Sequence, residues 1–528
     1  MFEITALPYR KSQENAVFTV YGARLLLGPV TYDKYCVKLP FISCIQELAA
    51  GMSNTEPTML WHDYETFGVS PQKDLPCQFA AVRTDTDLNP VGKPINIMNQ
   101  IANDYLPQPE ACLVTGITPQ LTLRDGMIEA EFARQIHEAM SLPNTCVAGY
   151  NSIRFDDEVS RYLFYRNFYD PYGREWRNGN SRWDIIDLVR ACYALRPEGI
   201  EWPLREDGSP TFKLEELSKA NNLDHGRAHD ALSDVYATIA LAKLIKTCQP
   251  KLYDYMYSLR SKHNVLDKFD LSKPSVLLHI SSRLPAAQGC CTWVMPVAMH
   301  PHNPNAVIVI DLAKSPDVLV NEPVEEIRER LYSSQEDLGD VSRPGLKLIH
   351  INRSPFITTA KAMTPENAQR LGMDRETCLA NFKVLAAVPD IVDKAVAVYQ
   401  QENDNTQYDA DHALYSGGFI NNEDRRWCDD VLQSAPEMLD TLGERTQNIQ
   451  LRTMLFRYRA RNYPQTLTVD ETRRWQAHRK ARLTDNTSPA SVTLETYLLT
   501  IEQLAQRYNG DVKKQGILRA LYQYAENL

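Results

Sequence analysis

The sequence Trp61-His62-Asp63-Tyr64-Glu65-Thr66-Phe67-Gly68 places two carboxylates one residue apart at the end of a predicted β-strand. Alternate side chains of a strand point to the same face, so Asp63 and Glu65 should project together. Two like charges in one place repel each other, and a cation between them makes the arrangement favourable. The pattern therefore predicts a metal site, although a solvated pair on a surface strand has the same spacing.

A second acidic segment runs from Val147 to Glu158, where an apolar strand leads through a turn into a helix. It carries Asp156 and Asp157 at the predicted start of that helix. Acids at this position serve as helix caps and compensate the helix dipole. We expect both roles to be present, with Asp157 capping the helix and Asp156 facing the metal site.

A third segment contains His229, Asp230 and Asp234. Asp230 precedes an apolar-periodic helix, His229 lies just before it, and Asp234 lies one turn inside it. A single histidine beside a helix N-terminus is often structural. Here the histidine completes an ordered set of one D-x-E pair, one further Asp and one H-x₄-D pair.

This set of residues resembles the DEDDh exonuclease superfamily, which includes proofreading exonucleases and ribonuclease T. From about Leu60 to the C-terminus the chain is also similar to the bacterial exonuclease I family. The segments that carry this similarity are His62-Asp63-Tyr64-Glu65-Thr66-Phe67-Gly68, Tyr105-Leu106-Pro107-Gln108-Pro109, Thr115-Gly116-Ile117-Thr118-Pro119-Gln120, Arg166-Asn167-Phe168-Tyr169-Asp170-Pro171-Tyr172 and Ala191-Cys192-Tyr193-Ala194-Leu195-Arg196-Pro197-Glu198-Gly199-Ile200.

The resemblance implies a metal-dependent 3′→5′ exonuclease that degrades single-stranded DNA processively to 5′-mononucleotides in DNA repair and recombination. Phosphodiester hydrolysis puts negative charge on the attacking and leaving oxygens, which two Mg²⁺ ions, replaceable by Mn²⁺, can stabilise. Asp63, Glu65 and Asp234 are the expected metal ligands, and Asp156 would support the second ion. His229 would act as the general base, since an ordinary histidine pKa suits that role.

The resemblance also implies contacts to single-stranded DNA and to a protein partner. The expected DNA-contacting residues are Glu65, Arg161, Tyr172, Trp176, Arg190 and Lys213. The family usually has Arg where Lys213 stands, and a lysine lacks the bidentate geometry of an arginine toward phosphate. Arg196 and Tyr255 match positions that bind the acidic C-terminal tail of single-stranded DNA-binding protein. Alternatively, Arg196 only caps the preceding helix.

The net charge of −10 means that any phosphate-binding Lys and Arg must be clustered. Between residues 452 and 482 there are nine Lys and Arg against two acids, with aromatic residues among them. A solvated helix face has a similar pattern, but the interleaved rings favour a surface that binds a single strand or a partner.

The length of 528 residues indicates about three domains. We expect residues 60–247 to form a ribonuclease-H-like DEDDh exonuclease domain and residues 250–400 a Src-homology-3-like β-barrel domain. After a polar linker at 401–407, residues 408–528 should form a helical domain, with helices near 425–442, 449–462, 469–480 and 492–527. Residues 1–51 lie outside the resemblance and carry no motif. We expect them to be a poorly packed, dispensable extension from an over-extended start.

The eleven cysteines include no C-x-x-C pair, which argues against a zinc module. Their odd number and scattered positions argue against a disulfide framework and indicate a reducing compartment. No apolar run reaches the roughly 20 residues of a membrane-spanning helix. We expect a soluble, monomeric cytoplasmic enzyme.

Two other functions fit parts of the pattern. The first is an exonuclease that trims RNA 3′ ends, as ribonuclease T does, but the long C-terminal half argues against so small an enzyme type. The second is a catalytically silent scaffold that binds single strands, and the complete set of five catalytic residues argues against it.

Overall fold

The computed structural model describes residues 56–223, 230–400, 408–418 and 420–528, together with the backbone of two short strands nearer the N-terminus. These strands, β1 (Val17–Val20) and β2 (Ala23–Leu26), pair antiparallel within a unit of residues 1–55. Residues 56–528 form a second unit. Most of the predicted extension, and His229, lie outside the described residues.

A five-stranded mixed sheet opens the second unit. Its strands are β3 (Thr58–Thr66), β4 (Pro76–Thr84), β5 (Ile95–Met98), β6 (Thr145–Gly149) and β7 (Ser181–Asp184). They lie in the order β5-β4-β3-β6-β7, with β3 antiparallel to β4 and parallel to β6. The carboxyl ends of β3 and β6 therefore meet at one edge of the sheet, where ligands bind in sheets of this kind.

The central strands β3, β4 and β6 are buried, and this part of the chain also forms helices. They are α1 (Pro109–Thr115), α2 (Pro119–Asp125), α3 (Glu129–Ser141), α4 (Asp156–Arg166), α5 (Ile186–Leu195), α6 (Leu214–Ala220), α7 (Ala231–Cys248), α8 (Pro250–Ser258) and α9 (Lys262–Leu266). The predicted alternation of strands and helices in this region is confirmed.

An antiparallel sheet follows, in the order β11-β10-β9-β8-β12. Its strands are β8 (Leu277–Ile280), β9 (Cys291–Met299), β10 (Ala306–Asp311), β11 (Leu346–His350) and β12 (Phe356–Thr359). Helices inserted between and after these strands are α10 (Asp317–Asn321), α11 (Val324–Tyr332), α12 (Gln335–Leu338), α13 (Pro365–Arg370), α14 (Arg375–Ala386) and α15 (Ile391–Val398).

The C-terminal region is helical, as predicted. Its helices are α16 (Asn422–Gln433), α17 (Leu439–Gly443), α18 (Ile449–Asn462), α19 (Val469–Thr484), α20 (Leu494–Arg507) and α21 (Val512–Glu526). Two segments predicted as single helices, 425–442 and 492–527, are each broken in two. Pro436 follows the first break and cannot donate a backbone hydrogen bond, and Gly510 at the second has φ +101°.

Within the described ranges, no helix is both long and apolar enough to cross a membrane. The nine cysteines in the described part of the chain are free thiols, eight of them buried.

Candidate active site

Three carboxylates meet at the edge where β3 and β6 end. Asp63 and Glu65 lie on one face of β3, and Asp234 lies in the first turn of α7, which packs across β3 and β4. One ligand oxygen from each of the three lies within 4.8 Å of the other two. The geometry is that of a site that several oxygen ligands share around a cation.

The electrostatics of these acids are unfavourable without a cation. Burial, reinforced by Asp156, Glu65 and Asp234, raises the pKa of Asp63 well above its usual range. Burial, with Asp234 and Asp156, likewise raises the pKa of Glu65 to about 8. Among the described residues, no Lys or Arg forms an ion pair with Asp63 or Glu65. A divalent cation would supply the missing positive charge, so the donor set fits a hard metal ion.

Asp156 is the first residue of α4 and is 5% exposed. Its Oδ1 accepts a hydrogen bond from the backbone N–H of Tyr64, at 3.1 Å. This bond holds Asp156 against the strand segment between Asp63 and Glu65. Burial raises the pKa of Asp156 to about 8. The structure thus brings four of the five predicted catalytic side chains together, and the fifth, His229, lies outside the described residues.

Asp157 does not cap α4, contrary to the prediction from its position. Its carboxylate instead pairs with Arg174 at 2.7 Å and with Arg182 at 3.0 Å, and all three side chains are buried. The two guanidiniums overcome the cost of burial and hold the pKa of Asp157 well below its usual range. No local pattern around Asp157 indicates this pairing, because both arginines lie in later segments.

A cavity of about 850 Å³ lies beside α4, between the first domain and the antiparallel sheet. The predicted residues Arg161, Tyr172 and Trp176 line it. Its remaining cationic and aromatic lining residues, which the sequence reasoning did not select, are Arg182, Arg260, Lys262, His350, Arg353 and Tyr415. A mixture of cations and rings in one groove is typical of sites for single-stranded nucleic acid.

Arg161 is held firmly at this cavity. Its guanidinium donates to both oxygens of Glu175 at 2.8 and 2.9 Å, to Glu158 at 2.8 Å and to the hydroxyl of Tyr415 at 3.1 Å. It also lies 5.1 Å from the centre of the Tyr172 ring. Most of its donors are therefore committed to the protein, which fixes the position of its positive charge.

Arg190 and Lys213, the other cations expected to contact DNA, are placed differently. Arg190 is 7% exposed, pairs with Asp187 at 2.6 Å and does not line the cavity. The contact from Arg190 to DNA therefore stays a prediction. The side chain of Lys213 is 72% exposed beside Glu216.

Of the two residues expected to bind a partner, Tyr255 contacts the antiparallel sheet, and Arg196 lies at the C-terminal end of α5. Arg196 ends α5, is exposed, and donates from Nη1 to the carbonyl of Leu195, as expected of a capping residue. The Tyr255 hydroxyl donates to the carbonyl of Ile357 at 2.7 Å, and its ring lies 5.6 Å from Nζ of Lys268.

The basic segment 452–482 is partly internal, whereas Arg452, Arg473, Arg474 and Lys480 are exposed, so its role as a surface that binds a single strand or a partner stays a prediction. Arg461 bridges Asp104 and Asp411 at 2.7 Å each, and Arg457 pairs with Asp409 at 2.6 Å. We call this buried group the arginine network. Its members are Asp104, Asp409, Asp411, Arg457, Arg461 and Arg482.

The chain is similar to known proteins over most of its length. Family models described as Exonuclease, Exonuclease I SH3-like domain and Exonuclease I C-terminal domain match residues 60–242, 260–401 and 408–528. The chain is 46% identical to exodeoxyribonuclease I of Escherichia coli K12 over 90% of this chain and 98% of that protein. It is 45% identical to the Haemophilus influenzae protein of the same name over 88% of this chain and 98% of that protein.

Solved structures agree with the sequence relatives. E. coli exonuclease I in complex with a dA16 oligonucleotide has a TM-score of 0.86, 46% identity, and coverage of 89% of this chain and 100% of that one. A zinc-bound form of the E. coli exonuclease I–ssDNA complex has a TM-score of 0.85, 46% identity and coverage of 90% and 99%. A structure of SSB/exonuclease I in complex with the inhibitor CFAM has a TM-score of 0.83, 44% identity and coverage of 90% and 100%.

The fold and the acid cluster define an exonuclease of the divalent-metal-dependent DEDDh class, with a ribonuclease-H-like domain, an SH3-like domain and a C-terminal helical domain. Within that class, the chain belongs to the exodeoxyribonuclease I family. The fold and the family expected from the sequence are both confirmed.

Proposed function

We propose that this protein digests single-stranded DNA from the 3′ end to 5′-mononucleotides, using two Mg²⁺ ions that Mn²⁺ can replace. The observation that carries the proposal is the convergence of Asp63, Glu65 and Asp234, with ligand oxygens within 4.8 Å and no cationic partner for the first two among the described residues. When bound, the metal would stabilise negative charge on the attacking and leaving oxygens of the phosphodiester.

The chain's own residues would divide the remaining work. Asp63, Glu65 and Asp234 would hold the cations, and Asp156, fixed by the Tyr64 N–H, would complete the second position. His229 would take the proton of the attacking water, because it directly precedes the segment that leads into α7 and Asp234. Glu65 would also face the terminal nucleotide, since its side chain is only half-buried.

The cavity beside α4 would hold the strand that leads to the acid cluster. Asp156 and Arg161 lie five residues apart on one helix, a rise of about 7–8 Å, which is close to the spacing of one nucleotide. Arg161, Tyr172 and Trp176 would contact successive phosphates and bases, and the exposed Lys213 would contact phosphate as a point charge. Sequence preference should be weak, because ring stacking tolerates every base.

The test is a nuclease assay on 5′-labelled DNA and RNA oligonucleotides of the same sequence, with Mg²⁺, with Mn²⁺ and with excess EDTA. We expect metal-dependent shortening of the DNA from its 3′ end and far slower loss of RNA. The His229→Ala variant should be slower by roughly 10²-fold to 10⁴-fold, the usual contribution of a general base. Equal digestion of both polymers, or digestion in EDTA, would contradict the proposal.

We also propose that the surface around Arg196 and Tyr255 binds the acidic C-terminal tail of single-stranded DNA-binding protein. Arg196 offers an exposed guanidinium, and Tyr255 offers an aromatic ring with the Lys268 ammonium 5.6 Å from its centre. A carboxylate with apolar neighbours suits such a surface. Arg196→Ala should weaken binding of the tail peptide, whereas Arg124→Ala, which removes a 72%-exposed guanidinium elsewhere, should not. Unchanged affinity for Arg196→Ala would rule this site out.

The biological setting belongs to the same proposal. Family membership supports processive action in DNA repair and recombination by a monomer in the cytoplasm. Free thiols throughout the described part of the chain agree with a reducing compartment.

A further inference from the structure

We infer that Asp184 is a positioning residue for the catalytic metal site. This inference rests on the proposed function, since it concerns how the chain holds Asp156. Asp184 ends β7, is 6% exposed and belongs to none of the predicted sites. The following contacts show what its carboxylate does.

The Asp184 carboxylate accepts three backbone hydrogen bonds. Oδ1 accepts from the N–H of Asn151 at 2.8 Å and of Ile186 at 3.0 Å, and Oδ2 accepts from the N–H of Ile153 at 3.2 Å. Two of these donors belong to the turn that joins β6 to α4. One side chain therefore ties that turn to the start of α5.

The turn has little freedom to rearrange around this anchor. Asn151 has φ +60°, an uncommon conformation for a residue other than glycine. At Gly149, an added Cβ would lie 2.7 Å from Cβ of Ser152 and 3.0 Å from the carbonyl oxygen of His62. The turn is thus pressed against β3, the strand that carries Asp63 and Glu65.

This β6–α4 turn also sets the position of Asp156. Only Arg154 and Phe155 separate Ile153 from Asp156, and Asp156 then accepts the Tyr64 N–H from β3. A loss of the Ile153 bond would shift the start of α4 relative to β3. The resulting displacement would fall on the carboxylate that is proposed to support the second cation.

Asp184 also lies near Asp156 electrostatically, and its charge contributes to the raised pKa of Asp156. The hydrogen bonds of Asp184 described here all go to backbone N–H groups. We therefore assign it a role through Asp156 rather than direct contact with substrate. Residues in this relation to a metal site typically change metal affinity or activity by 10-fold to 100-fold when mutated.

The test is Asp184→Asn in the full-length protein. The amide oxygen can still accept from Asn151 and Ile186, but the amide NH₂ would face the Ile153 N–H, so two donors oppose each other. We expect Mn²⁺ affinity, measured by calorimetric titration of the DNA-free protein, to fall roughly 10-fold to 100-fold. We also expect kcat to fall while KM for single-stranded DNA changes less than about threefold.

Asp374→Asn is the matched control. Asp374 also accepts backbone and hydroxyl hydrogen bonds, from Thr377, but it caps α14 in the SH3-like domain. This variant should leave Mn²⁺ affinity and kcat unchanged. If Asp184→Asn binds Mn²⁺ as the unmutated protein does, the inference is overturned while the proposed function stands. If the unmutated protein binds no Mn²⁺, the proposed function itself fails.

A measurement on the unmutated protein covers the case in which Asp184→Asn does not fold. The amides of Asn151 and Ile153 have Asp184 as their acceptor rather than a helix or strand carbonyl. They should exchange with deuterium slowly, whereas the amide of Asp87, which donates to the Asp85 carboxylate at the exposed surface, should exchange fast. Equally fast exchange at all three positions would overturn the inference.

Discussion

The acids of the active site and the acids of the arginine network differ in their partners. Among the described residues, no Lys or Arg forms an ion pair with Asp63 or Glu65, whereas the acids of the arginine network are paired with arginines. Asp104 and Asp411 are 1% and 2% exposed and share Arg461. Although burial opposes it, Arg461 and Arg482 hold the pKa of Asp104 at about 2. Burial and neighbouring acids instead raise the pKa of Glu65 to about 8.

The difference separates acids that stabilise the fold from acids that can bind a cation. The arginine network joins Asp104 of the first domain to α18 and to residues 409–411, so its charges are neutralised by the fold itself. The active-site acids repel each other in the cation-free protein, which costs folding free energy and becomes favourable on metal binding. Clustered carboxylates with raised pKa values, such as Asp63 and Glu65, therefore mark the functional site more specifically than acidity alone.

Among the variants that test this comparison between the active-site acids and the arginine network, Asp63→Ala should give the largest effect. It removes a ligand from the centre of the cluster, so hydrolysis should fall to background while single-strand binding in the cavity is retained. Because one repulsive charge is also lost, the melting temperature in EDTA should be unchanged or higher. Full activity, or a large loss of stability, would place Asp63 with the stabilising acids instead.

Arg461→Met should give the opposite result. It leaves Asp104 and Asp411 without their shared partner, and breaking a buried pair in this way costs about 3–5 kcal/mol of unfolding free energy. Turnover of the protein that remains folded should change little. Urea denaturation measures the loss, and Arg473→Met, which removes a 77%-exposed guanidinium paired with Asp470, should leave the unfolding free energy unchanged.

The active-site acids and the arginine network should make the stability depend on pH in opposite directions. Glu65 binds its proton more tightly in the folded state than at its ordinary pKa of 4.5, so the cation-free protein loses stability as the pH rises from there through about 8. Asp104 is more acidic when folded, so its contribution is present above pH 3.8 and lost as the pH falls through about 2. Melting temperatures in EDTA across this range measure both.

Excess Mg²⁺ should remove the loss of stability at rising pH and leave the loss at low pH, because the metal binds only the active-site acids. An identical pH profile with and without Mg²⁺ would mean that the raised pKa values are unconnected with a cation site.

The sequence predicted the first cluster because its information is local. Asp63 and Glu65 share a strand face by their spacing, and Asp234 follows a recognisable helix start, so three short patterns were enough. Pairing partners that are distant in sequence could not be found in this way. Asp157 was expected to cap a helix because nothing near it in sequence points to Arg174 and Arg182.

The basic segment shows the same limit. Arg457 and Arg461 lie four residues apart and therefore on one face of α18, which also suits a DNA-binding surface. Their true partners are Asp104, more than 350 residues away, and the acids just after the linker. A signal was present in Asp409 and Asp411, two acids beside a helical region rich in arginine, but only the fold identifies the pairing.

Trp176→Ala should give the smallest effect, because this residue belongs to neither cluster. Trp176 is 64% exposed and lines the cavity, so its ring can stack on a base. The Arg177 guanidinium lies 5.2 Å from the ring centre. Stacking is worth about 1–3 kcal/mol per base, and the loss in binding should be alike for poly-dT and for mixed strands. Titrations in EDTA measure binding without hydrolysis, and Tyr332→Ala, which removes a 67%-exposed ring outside the cavity, is the control. A loss restricted to one base sequence would mean that Trp176 reads base edges rather than stacking. An equal loss in both variants would mean that the strand does not bind in the cavity. The comparison between the active-site acids and the arginine network would then not extend to the DNA-binding residues.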